Sequence, residues 1–105
     1  MLKSSNQEQT RTLDISGAFV RRTNLTGASL RGANLAGTDA TNAIFRDADF
    51  EGALLDGTIL KGADLTGARN LTLNQLSRAI VDSRTILPAY IDREALPQRA
   101  GEKQG

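Results

Sequence analysis

The chain contains no Cys, no His and no Trp. Without Cys there are neither disulfides nor thiolate metal ligands. Without His the commonest general base and imidazole ligand is missing. Aromatic residues make up 4% of the 105 residues, too few for a platform that stacks nucleobases. An excess of one charge is also lacking: 13 Lys and Arg stand against 12 Asp and Glu, a net charge of +1. Such a balance gives no electrostatic footprint for nucleic acid. The longest uncharged apolar stretch, Ile86 to Ile91, is short and broken by Pro88, whereas a membrane-spanning helix needs about 20 apolar residues. Met1 to Thr12 carries no apolar core of a secretory signal. The expectation is a cytoplasmic protein with no nucleic-acid partner and no membrane segment.

What the sequence does contain is a period. Cut every five residues from Leu13, it reads LDISG, AFVRR, TNLTG, ASLRG, ANLAG, TDATN, AIFRD, ADFEG, ALLDG, TILKG and ADLTG, with no break in frame. The third residue of each unit is Ile15, Val20, Leu25, Leu30, Leu35, Ala40, Phe45, Phe50, Leu55, Leu60 or Leu65. All are apolar, an outcome expected by chance about 3 times in 100,000 at this composition. The first residue is Ala, Thr or, once, Leu; the fifth is Gly in eight of the eleven units. Five matches neither the 3.6-residue period of a helix nor the 2-residue period of a strand. It requires a backbone that turns a corner every five residues. Small first residues let the chain run close to its axis, Gly at the fifth tolerates the corner dihedrals, and the third residue points inward.

The pattern A-(D/N)-L-x-x, with ANLAG, ADFEG and ADLTG as clean copies, resembles the pentapeptide-repeat family. The resemblance implies an all-β solenoid, a right-handed quadrilateral parallel β-helix with four repeats per coil. Eleven repeats then make about three coils, roughly 13 Å tall at the ~4.8 Å strand spacing. Residues twenty apart stack, giving inward ladders Ile15/Leu35/Leu55, Val20/Ala40/Leu60, Leu25/Phe45/Leu65 and Leu30/Phe50.

The chain divides into a polar tail at 1–12, the repeats at 13–67, a segment at 68–92 and a second tail at 93–105. In the third segment Thr72-Leu73-Asn74-Gln75 fits a capping box. Leu73, Leu76, Ala79 and Ile80 follow at helical spacing, and Pro88 blocks continuation. The run resembles the C-terminal α-helical cap of many bacterial family members. A cap matters because an uncovered end exposes unpaired backbone groups and invites edge-to-edge association.

Little chemistry is offered. Asp14, Asp39, Asp49 and Asp64 occupy second positions and could pair as acid and base, but they are expected on a convex, solvated surface. Asp14 is succeeded twenty residues on by Asn34 and then Leu54, so no carboxylate ladder forms for Ca²⁺. The glycines recur at five, not in a phosphate-binding spacing. No catalytic, cofactor or metal residue is assigned. Arg31 and Glu51, twenty apart, form a surface pair worth under ~1 kcal/mol. The distinctive outward residues are apolar: Phe19, Ile44, Leu54 and Ile59, the candidate partner surface. The leading functional reading is a non-catalytic interaction or scaffold module binding an unidentified protein, or pairing as a homodimer through an apolar side or a helix end. The alternative, implied by the resemblance, is a DNA-mimicking modulator of a type II topoisomerase such as gyrase. Residues 13–67 carry seven acids and five bases, far less acidic than a mimic of duplex DNA requires.

Overall fold

The computed structural model describes residues 12–97. Its backbone closes a loop every twenty residues. Second-position residues bridge in parallel to their counterparts one coil on: Asp14 to Asn34 to Leu54 on the first side, Phe19 to Asp39 to Ile59 on the second, Asn24 to Ile44 to Asp64 on the third, and Ser29 to Asp49 to Arg69 on the fourth. Each second residue of the second and third coils uses both backbone groups downward. The N–H of Asn34 donates to the Leu13 carbonyl at 2.8 Å, and its carbonyl accepts from the Ile15 N–H at 3.0 Å.

The corners follow from sequence. The first residue of each repeat donates to the third-position carbonyl before it, as Ala18 does to Ile15 at 2.9 Å. That closes a four-residue turn whose third residue needs positive φ, the type II requirement. Gly fills it at eight corners, with φ between 66° and 74°, while Arg22, Asn42 and Asp47 adopt 60–62° at the other three. The Asn42 side chain lies over Gly62 of the next coil: a Cβ there would meet Asn42 Oδ1 at 2.1 Å. Gly62 is therefore needed for space as well as for its dihedral. Asn70 takes a φ of 60° where a third-position residue would stand, and the repeat frame ends there.

The inward ladders form the core. Leu30, Leu35, Ala40, Phe45, Phe50, Leu55, Leu60 and Leu65 are buried, and Ile15, Val20 and Leu25 of the first coil are partly buried against them. Phe45 and Phe50 are tilted ring neighbours with centroids 5.4 Å apart, a favourable edge-biased arrangement. First-position threonines add a polar ladder beside the apolar one. The hydroxyls of Thr38 and Thr58, and of Thr85 in the corresponding place before Ile86, donate to the carbonyls of Ile15, Leu35 and Leu60 at 2.6–2.8 Å. The first position thus selects Thr for a bond as well as for size.

The segment after the repeats is less helical than its spacing predicts. Thr72 caps α1 (Leu73–Ser77) with both reciprocal bonds of the capping box, but the helix ends after little more than one turn. Ile80 then bridges Ile59, and Ile86 bridges Asp64. Of the apolar stripe, Leu76 and Ala79 are buried but Leu73 is 40% exposed, and beyond Ser77 the conformation is not helical: Ile80 serves the second side and Ile86 the third. A 3-10 turn, Arg93–Ala95, follows, and Leu96, placed by sequence in a polar tail, is buried against the core. Residues 1–11 and 98–105 of the two expected tails lie outside the described residues.

Candidate interaction surface

The second-position acids are occupied locally. Oδ1 of Asp14, Asn24, Asn34, Asp39, Asp49 and Asp64 each accepts the backbone N–H two residues on, at 3.0–3.1 Å. Where the fourth residue is Ser or Thr, its hydroxyl adds a second bond to the same oxygen, as from Ser16, Thr26, Thr41 and Thr66 at 2.5–2.7 Å. These are Asx turns, which rigidify the approach to each corner. Sequence reading missed them, although the D/N-x-S/T spacing within a repeat is their signal.

The second carboxylate oxygen is taken up between coils. Arg21, Arg31 and Arg46, all fourth-position residues, reach Asp39, Asp49 and Asp64 eighteen residues on, at 3.7, 3.2 and 3.1 Å. Arg31 also pairs with Glu51 at 2.6 Å, the pair expected from spacing. Asp49 is the most enclosed of these acids, 6% exposed. The amide of Asn70, the Glu51 N–H and Arg31 hold its carboxyl below the usual range, at about 2. Burial opposes the charge on Asp64, but bonds from Thr66 and Arg46 outweigh it and its pKa is also lowered.

A depressed carboxylate stabilises the fold above its unfolded-state pKa, and that contribution is lost as pH falls through the folded value. For Asp49 the window runs from about 4 down to about 2. The thermal midpoint, followed by circular dichroism, is expected to hold steady above pH ~5 and fall between pH ~4 and ~2. Asp49→Asn should make the fall shallower. An unchanged profile would show that this carboxylate carries no pH dependence.

The candidate partner residues do not form one patch. Phe19 and Ile59 share the second side with Asp39 between them, Ile44 is on the third side, and Leu54 is on the first, opposite Ile44. Phe19 and Leu54 project into solvent, 79% and 53% exposed, while Ile44 and Ile59 are half-buried. A groove of about 440 Å³ lies against α1, lined by Glu51, Gly52, Ala53, Asn70, Thr72 and Gln75. Its one carboxylate is the Glu51 already paired with Arg31. Among the described residues no acid cluster is arranged to hold a metal ion, and no helix is long and apolar enough to cross a membrane.

A model of pentapeptide repeats matches in eight copies over residues 14–47, 33–69 and 43–80, together more than half of the 105 residues. The chain belongs to the pentapeptide-repeat family. Among solved structures it is similar to Rfr23, a pentapeptide repeat protein of the cyanobacterium Cyanothece 51142, at 27% identity and a TM-score of 0.64, covering 73% of this chain and 52% of that one. The chain thus spans about half the length of that protein. A second similar structure is alr5209, a pentapeptide repeat protein from Nostoc Pcc 7120, at 22% identity, a TM-score of 0.34 and coverage of 84% of each chain. No curated protein matches closely enough to compare. Family and structure together give the fold as a right-handed β-helix.

Proposed function

We propose that the chain is a non-catalytic interaction module, a β-helix of about three coils with a C-terminal cap that presents a rigid surface to a protein partner. The observation that carries this reading is the use of the polar side chains. The second-position Asp and Asn residues spend one oxygen on an Asx turn, and Asp39, Asp49 and Asp64 spend the other on an arginine of the preceding coil. Carboxylates so engaged are poor general bases, since their pKa values are lowered rather than raised toward neutrality. Solenoids supply extended rigid faces without a cleft, and here the exposed apolar side chains Phe19 and Leu54 are what the repeat architecture does not itself require.

Affinity capture on the immobilised full chain, read by mass spectrometry, tests the reading. The expected result is one stoichiometric protein whose recovery falls at least tenfold with Leu54→Asp combined with Ile59→Asp on adjoining sides. Recovery of no such protein, or recovery unchanged by the substitutions, counts against a surface on these sides. A DNA-supercoiling assay with gyrase is expected to show no inhibition.

A further inference from the structure

The two ends of the stack are finished differently. At the C-terminal end, the upward carbonyls of Phe50, Ala53 and Ala68 are met by Gln75 and Tyr90, those of Thr58 and Ala63 by the N–H groups of Ile80 and Ile86, and Leu71, Leu76 and Leu96 are buried over the core. At the N-terminal end, the second residues of the first coil, Asp14, Phe19, Asn24 and Ser29, point both N–H and C=O out of the stack, and among the described residues these groups meet no backbone partner. Around them Leu13 is 46% and Phe19 79% exposed.

We propose that this N-terminal edge docks on the same edge of a second copy, with the two stacks meeting end to end. The inference rests on the interaction-module reading and names its partner. A second copy turned over about a two-fold axis runs its chain in the opposite sense, so the sides that meet run antiparallel. An antiparallel hydrogen-bonded pair needs one residue on each strand with N–H and C=O on the same side, exchanging two bonds. The second-position residues of the first coil have that orientation already.

The side chains select among the ways of turning the copy. With the axis through the second and fourth sides, Phe19 faces Phe19 of the second copy and Asp14 faces Asn24, while the half-turn rise of the coil holds the two fourth sides about one ~4.8 Å strand spacing further apart. Arg22 then lies diagonal to Asp14 of the second copy, within reach of a long side chain. Neither Arg22 nor Asp14 has an ion pair among the described residues. The axis through the first and third sides would instead set Asp14 against Asp14, a like-charge pair that is destabilising. The two diagonal axes lose the aromatic pair. Charge complementarity and the Phe19 pairing therefore favour a single register.

Sedimentation equilibrium of the full chain is expected to show a dimer, weakened at least tenfold by Phe19→Asp. Asp is native to second positions of this fold, so the circular dichroism spectrum should not change. Because the chain has no Cys, Phe19→Cys reads the register directly. Facing Cα atoms about 5.5 Å apart in such a pair fall inside the ~4.4–6.8 Å disulfide range. Oxidation should give a covalent dimer with Phe19→Cys and none with Leu54→Cys, two coils away. A monomeric chain, a dimer indifferent to Phe19→Asp, or equal cross-linking by the two Cys variants each overturns the proposal. None of these removes the broader interaction-module reading, which is decided by the response of captured protein to the Leu54 and Ile59 substitutions.

Discussion

Phe50→Ala is expected to destabilise the fold by about 3–5 kcal/mol, the range for removing a fully buried aromatic side chain. Phe50 is 0% exposed and leans on Phe45 with ring centroids 5.4 Å apart. The substitution therefore removes transfer energy, leaves a cavity, and strips one ring of its neighbour. Relaxation is restricted because the backbone on either side of Phe50 is tied into the stack. The Phe50 N–H donates to the Arg69 carbonyl at 2.9 Å, and the Phe50 carbonyl accepts from the Ala53 N–H at 2.9 Å. A midpoint drop of at least ~12 °C follows from the usual conversion for a domain of this size. Phe19→Ala is the control: in the dilute, monomeric chain, where 79% of that residue is exposed, the change should stay within about 0.5 kcal/mol. Thermal or urea unfolding of the two variants distinguishes them. Similar losses at both positions would mean that burial in the third-position ladder is not what holds the coils together.

The contrast between Phe50 and Phe19 also shows what the sequence made legible. Both are aromatic and both lie in a repeat; only the position within five separates core from surface. That distinction was readable because the third residue of every repeat, from Ile15 to Leu65, is apolar and the frame is unbroken. The end of the frame was harder. Leu73, Leu76, Ala79 and Ile80 have helical spacing, but the bridges from Ile59 to Ile80 and from Asp64 to Ile86 span 21 and 22 residues instead of 20. An added residue or two in each connection shifts the register, so a search at fixed period loses the ladder exactly where the backbone keeps it by hydrogen bonding. Local propensity then dominates the reading and lengthens the helix beyond Ser77.

The surface was legible in identity and not in geometry. Phe19, Ile44, Leu54 and Ile59 are outward as their second position implies, but two of them are half-buried by neighbours that no one-dimensional period specifies. The Asp and Asn residues of the same positions were visible as a group, while their function in Asx turns depends on backbone N–H groups, which a sequence does not display. The arginine pairs eighteen residues apart were missed for a related reason. They join the fourth position of one coil to the second of the next, a diagonal that appears only once coils are stacked.

Gln75→Ala is expected to cost about 2–3 kcal/mol, because one side chain closes the helix and the end of the stack together. Its Oε1 accepts from the Thr72 N–H at 2.8 Å, completing the capping box, which is worth about 1 kcal/mol. Its Nε2 donates to the carbonyls of Phe50 and Ala53 at 2.8 and 2.9 Å, and each such bond contributes about 1 kcal/mol. Two further substitutions separate these roles. Thr72→Ala removes only the cap and should cost about 1 kcal/mol. Gln75→Glu keeps the acceptor for Thr72 but sets a carboxylate oxygen against two carbonyls, so it should cost at least as much as Gln75→Ala. In a solenoid the loss should appear first at the end it uncovers. Native-state hydrogen exchange should accelerate at the amides of Leu60 and Leu65, which donate to the Ile80 and Ile86 carbonyls, while that of Leu35, a coil further in, stays protected. If Thr72→Ala matches Gln75→Ala, the helix cap alone accounts for Gln75, and the end of the stack is held by Ile80, Ile86 and Tyr90 instead.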